Sequence, residues 1–120
     1  MHEMGLAMSI HRICRDSIAA HGGGSLDWVR VAVGELSAVE PELLEFAWQA
    51  VVADGPDAGA RLKVEWHPAR QVCAQCGEPK QRVAGSWLRL CPDCGLPLRV
   101  DGGDELDVLQ VSFSAPDEED

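Results

Sequence analysis

Residues 28–52 read WVRVAVGELSAVEPELLEFAWQAVV, and the hydrophobic period changes partway along. Val29, Val31 and Val33 alternate with other residues, the two-residue period of a strand with one buried face. Gly34-Glu35-Leu36-Ser37 leaves the strand. A helix is then expected from near Glu40, because Pro41 suits a first helical turn where a missing N–H costs nothing. Leu43, Leu44, Ala47, Trp48 and Val51 follow at spacings of three and four and predict the buried stripe of that helix.

Upstream, Leu6, Ile10, Ile13 and Ser17 form one helical row, with Ile10, Cys14 and Ile18 beside it. The pattern predicts an amphipathic helix from about Gly5 to about Ala20, ended by Gly22-Gly23-Gly24. Cys14 falls on its buried side and reads as a core thiol. His11 is expected on the outer side, and His21 near the helix end, where a cation suits the dipole. Downstream, residues 54–59 (DGPDAG) break the second helix, and Leu62, Val64 and Trp66 alternate as a strand that His67 closes before Pro68. Gly102-Gly103 reads as a turn before a last strand from Leu106 to Phe113. The expected fold is α+β: a small sheet with two helices on one side, plus an inserted zinc-ribbon-like module. Residues 1–69 with 101–114 would form the main domain, 70–100 the cysteine module and 115–120 a solvated acidic tail.

The chain has 120 residues, with 20 acidic against 10 basic side chains. A net charge of −10 argues against general nucleic-acid binding, since phosphates repel it. Charge is unevenly spread. Residues 61–100 carry Arg61, Lys63, Arg70, Lys80, Arg82, Arg89 and Arg99 against three acids, and the remainder is strongly acidic. That polarity matters for partner choice, and Arg82 and Arg89 are candidate partner contacts. No apolar run approaches the roughly 20 residues of a membrane span, and no secretory pattern opens the chain. A cytoplasmic protein is expected.

Four of the five cysteines form two C-x-x-C pairs, Cys73/Cys76 and Cys91/Cys94, fourteen residues apart. Each pair aims two sulfurs at one point, and Gly77 and Gly95 follow where the chain must reverse. Four thiolates suit tetrahedral zinc with no position open for water, hence a structural and not a catalytic ion. Residues 79–90 could form the intervening hairpin, covered by Trp87 and Leu88. Apolar residues are few here, so metal binding, worth roughly 10–16 kcal/mol in such sites, would hold the module together. Two other readings exist. A redox C-x-x-C normally opens a helix, and a nucleic-acid zinc ribbon would want more aromatic platforms. No serine–histidine–acid set or phosphate loop is evident, and no catalytic residue is expected.

Met1-His2-Glu3 opens the chain. In one reading this is a frayed, solvated terminus. In the other it is a chelator: the Met1 amine, the His2 amide nitrogen and the His2 imidazole can close adjacent rings on one ion, and the Glu3 amide or a nearby carboxylate can fill a fourth position. Square-planar nitrogen sites point to Ni(II) or Cu(II).

Taken together, Met1-His2-Glu3, the following helix, Val33-Gly34-Glu35-Leu36-Ser37-Ala38-Val39-Glu40, Cys91-Pro92-Asp93-Cys94-Gly95 and Gly103-Asp104-Glu105-Leu106 resemble the HypA/HybF family nearly end to end. These are nickel-insertion accessory proteins of nickel–iron hydrogenase maturation. The resemblance implies a nickel metallochaperone in which His2 is the main Ni(II) ligand, helped by the backbone nitrogens of His2 and Glu3 and by the Met1 amine. Glu40 falls where the family has an acid close to the nickel. Cys73, Cys76, Cys91 and Cys94 match its structural zinc ligands. Implied partners are a HypB-type GTPase and the hydrogenase large subunit, with urease maturation proteins for some members.

Overall fold

The computed structural model describes residues 3–77 and 90–116. In chain order it contains α1 (Glu3–Ala20), β1 (Ser25–Gly34), a single 3-10 turn (Glu35–Ser37), α2 (Pro41–Val52), β2 (Arg61–His67), β3 (Arg70–Cys73), β4 (Leu98–Asp101) and β5 (Leu106–Ser114). The strands make two sheets. One has the order β2-β1-β5, and the other pairs β3 with β4. This is the expected α+β arrangement, with β3 and β4 as an excursion between β2 and β5.

Local chemistry explains the element ends. At the end of α1, Gly22 takes φ 100°, and the N–H groups of Gly22 and Gly23 return to the carbonyls of Ala19 (3.3 Å) and Ile18 (2.8 Å). This double return satisfies carbonyls the helix would otherwise leave open. Before α2, Glu40 is extended, its carbonyl accepts from the Leu44 N–H at 2.9 Å, and Pro41 occupies the first turn.

Strand β1 is central, parallel to β2 and antiparallel to β5. Its register sets Val29 beside Leu62 and Val111, and Val31 beside Val64 and Val108. These rows face the helices. The core joins them to Ala7, Ile10, Cys14 and Ile18 of α1 and to Leu44, Ala47, Trp48 and Val52 of α2. Trp48 is 1% exposed, and its indole N–H donates to the Ala60 carbonyl at 2.9 Å, so burying the ring strands no polar atom. The opposite face carries Trp28 with the Lys63 ammonium 4.1 Å over its ring, and Arg30 paired with Glu65.

Three details depart from the helical patterns. Ile13 and Leu43, expected in the stripes, are exposed. Each helix has its neighbour on one flank only, so the buried arc of each is narrower than its apolar arc. His11 is not outward. It is half-buried, edge-on to Trp48 at 5.8 Å, with Nε2 2.7 Å from Asp57 Oδ2. Asp57, in the turn after α2, is 2% exposed. It also pairs with Arg15 (3.2 Å) and accepts the Leu26 N–H (2.8 Å), tying α1, the start of β1 and the α2–β2 loop together.

The chain crosses between the two sheets twice, and hydrogen bonds to backbone carbonyls and to a glutamate carboxylate hold the crossings. Gly34 and Leu36 donate to the carbonyls of Glu105 (2.7 Å) and Gly103 (2.6 Å), and the Ala69 N–H donates to Glu35 Oε1 (2.9 Å). Gly34 is required here: a Cβ at that position would lie 2.1 Å from the Gly103 carbonyl oxygen. His67 bridges Glu65 and Glu105, one ring nitrogen to each at 2.9 Å. Among the described residues no helix is long and apolar enough to cross a membrane.

Candidate metal centres

Both cysteine pairs are built as matching knuckles. The Gly77 N–H donates to the Cys73 carbonyl at 2.8 Å, and the Gly95 N–H to that of Cys91 at 2.9 Å. Both glycines are left-handed, at φ 73° and 75°, a conformation that costs glycine nothing. The Cys91 N–H reaches back to the Leu96 carbonyl (2.8 Å), and Leu90 bridges Pro97. Pairing of β3 with β4 aligns Cys73 with Leu98 and brings the first knuckle to the second.

The outcome is four sulfur atoms all within 4.8 Å of one another, with Cys73 and Cys94 sulfurs 3.4 Å apart. A tetrahedral zinc with bonds of about 2.3 Å places its sulfurs about 3.8 Å apart, so the cluster fits that ion with slight adjustment. Cys73 and Cys91 are buried, while Cys76 and Cys94 are exposed. The donor set is complete without water, which suits a structural zinc. The thiols themselves favour a cation. The Cys76 N–H, aimed at the Cys73 sulfur at 3.4 Å, leads the effects that pull Cys73 down to about 6, and the bond shared with Cys73 leads those that push Cys76 up to about 12. At Cys94 the Leu96 N–H lowers the pKa, but its contact with Cys73, helped by partial desolvation, prevails and raises it. One thiolate therefore makes the next harder to form. A divalent ion removes that conflict by displacing the remaining protons, so loading strengthens as pH rises.

The second candidate centre is the start of the chain. Met1 and His2 lie outside the described residues, as do Trp87, Leu88, Arg82 and Arg89. Glu3 opens α1 and Glu40 immediately precedes α2. The structure brings these two together, with the Glu40 N–H donating to Glu3 Oε2 at 3.3 Å. The residue that follows the candidate chelating tip is thus held against the acid that the resemblance singles out, 37 positions later in the chain.

Sequence patterns did not point to Asp57 or to the contacts of Glu35, His67 and Glu105. Asp57 lies in a turn with no period, and its partners come from three elements. A buried acid shows in sequence only as an acid in a loop. The single available hint was His11 and Arg15 at a four-residue spacing on one helix face.

A family model described as "Hydrogenase/urease nickel incorporation, metallochaperone, hypA" matches residues 1–113. The chain belongs to the HypA family. A hydrogenase maturation factor HypA from Geobacter metallireducens is 37% identical over 112 residues, covering 92% of this chain and 97% of that protein. The HypA of Deinococcus radiodurans is also 37% identical, covering 90% of this chain and 89% of its own length. The solution structure of the Ni metallochaperone HypA from Helicobacter pylori superposes with a TM-score of 0.63, covering 97% of this chain and all of that one, at 20% identity. A second solution structure of a HypA protein gives 0.65 at the same identity, covering 97% and 98%. The shared fold therefore spans both the helix-and-sheet body and the cysteine module. HypA proteins are nickel-binding maturation factors, and the four-cysteine cluster fits the accompanying zinc.

Proposed function

We propose that this chain carries Ni(II) at its N-terminal end and delivers it to the large subunit of a nickel–iron hydrogenase, working with a HypB-type GTPase. The Met1 amine, the His2 amide nitrogen and the His2 imidazole supply a planar set of nitrogen donors, and Glu3 and Glu40 complete or border it. Cys73, Cys76, Cys91 and Cys94 hold zinc and keep residues 70–100 folded as a separate module beside the nickel-binding domain (residues 1–69 with 101–114). The observation that carries this reading is the Glu40 N–H to Glu3 carboxylate contact, which draws the start of α1 to the start of α2. A free N-terminus elsewhere would be solvated and unaccompanied. Here the Glu3 carboxylate, next in sequence to His2, is held at the start of α2, and its charge favours a cation.

The two metals divide the labour. Four charged sulfurs exchange an ion slowly. A terminal, open nitrogen site exchanges readily, as a carrier requires. Protons compete for the amine and imidazole, whose ordinary pKa values are about 7.7–8.0 and about 6.5. Acidification through that range protonates the donors and releases the ion.

Metal analysis of untagged protein tests the assignment. Wild type should hold one nickel and one zinc per chain. His2→Ala should lose nickel and keep zinc and an unchanged melting temperature. Stoichiometric nickel in His2→Ala would defeat the reading.

A further inference from the structure

Two contacts fix how the helices lie. Glu3 meets Glu40, and His11 packs on Trp48. Both pairs carry the same sequence offset, so α1 and α2 run parallel with their N-termini level. Met4 and Met8, one turn apart on α1, therefore stand across from the first turns of α2, where Leu43 and Phe46 lie on its outward side. All four are exposed: Met4 45%, Met8 58%, Leu43 51% and Phe46 73%. No other described large apolar residue is as exposed as Phe46. A shallow recess beside them, lined by Gly5, Met8, Ser9 and Arg12, deepens the surface on the α1 side.

This surface has a sign as well as a texture. Glu40, just before α2, and Glu42, one turn from Phe46, are exposed beside it, and Glu3 borders its nickel end. Arg12 lies one turn past Met8, so acids prevail. Exposed single apolar residues need no explanation, but a cluster rimmed by charge marks an interaction site. Methionine adapts its shape to a partner at little cost.

We propose that Met4, Met8, Leu43 and Phe46 form the docking surface for the protein that accepts the nickel, and that this partner presents an apolar protrusion bordered by lysines and arginines. The inference rests on the proposed N-terminal nickel site and extends it. Transfer by ligand exchange requires donor and acceptor sites to touch, and this surface adjoins the end of the two helices where Glu3 and Glu40 meet. An acidic rim matched to a basic one orients the encounter and disfavours other partners, while the central apolar anchors supply most of the affinity.

The test uses the full-length, zinc-loaded chain and the hydrogenase large-subunit precursor from the same organism, with affinity measured by calorimetry. Phe46→Ser and Met8→Ser should each weaken binding by about tenfold or more. Glu42→Lys should weaken it further as salt is lowered. Leu109→Ser, which removes another exposed apolar residue, on β5, is the control and should change nothing. Nickel per chain should be the same in all variants. No measurable binding by wild type, or unchanged affinity in both Phe46→Ser and Met8→Ser, overturns the proposal. So does an effect confined to the GTPase, or to self-association seen by sedimentation. If wild type binds no nickel, the proposed function fails on its own terms while the docking result is still read separately.

Discussion

The helix-and-sheet body and the cysteine module stay folded for different reasons. The body buries a continuous apolar cluster drawn from both helices and from strands β1 and β2. The second cluster contains Cys73, Cys91 and Leu98 among the described residues. One leucine and two thiols cannot offset the backbone entropy of ordering two knuckles, which costs about 1–2 kcal/mol per residue. The body is held by burial and the module by coordination. If so, one short chain carries two stability mechanisms, and each should be removable without the other.

Removing the zinc is the most severe way to test that contrast. Chelation, or Cys91→Ala, should abolish protection of β3 and β4 in hydrogen exchange, with a loss of about 10 kcal/mol of metal-derived folding free energy. The core of β1, α1 and α2 should stay protected. Simultaneous loss of both regions would show that the module props up the body, and the contrast would be wrong.

The reciprocal perturbation is Trp48→Ala. It removes the largest fully buried side chain and leaves the Ala60 carbonyl without its indole donor. The expected cost is about 3–5 kcal/mol, read as a shift of the body's denaturant midpoint. The zinc content and the ultraviolet signature of the tetrathiolate in a cobalt-substituted sample should not change.

Asp57 sharpens the comparison by pH. Burial would raise its pKa, but the Leu26 N–H, His11 and Arg15 prevail and hold the carboxyl below its ordinary range. A carboxylate depressed in the folded state contributes stability that is complete above its unfolded pKa, about 3.9, and is lost as pH falls toward the folded value. The body should therefore destabilise below about pH 4. The module should fail earlier in an acid titration, because protons displace zinc from thiolates. Asp57→Ala should cost about 2–4 kcal/mol at neutral pH, since it strands a buried N–H and an arginine, and should flatten the body's acid limb.

How much of this was legible in the sequence follows the same divide. Periodic elements are visible because period maps directly onto burial: Val29, Val31 and Val33 announced β1, and Leu44, Ala47 and Trp48 announced α2. The zinc knuckles were visible because ligand spacing and a following glycine are local geometry. Asp57 was hidden because its partners lie in α1, at the start of β1 and in its own loop, and only the fold assembles them. The width of a buried stripe was hidden as well. Leu43 fits the helical period as well as Leu44 does, yet a helix flanked on one side covers one and exposes the other. The crossing between the sheets rests on backbone groups of Gly34, Leu36, Ala69 and Gly103 met by backbone carbonyls and by the carboxylates of Glu35 and Glu105, partners that no periodic pattern announces.

The smallest expected effect is the most discriminating. Phe46 and Trp48 are two residues apart on α2, both aromatic and large, and they differ mainly in where the helix turns them. Trp48 is sealed under α1 and β2, whereas Phe46 faces water. Truncating an exposed side chain away from caps and ion pairs usually changes stability by less than about 0.5 kcal/mol. Phe46→Ser should therefore leave the denaturant midpoint nearly unmoved and could even improve solubility by removing apolar surface. If thermal or chemical denaturation instead showed a loss comparable to that of Trp48→Ala, Phe46 would belong to the fold and not to an interface. A silent effect on folding would leave Phe46 free of any role in the core, as the proposed docking surface requires.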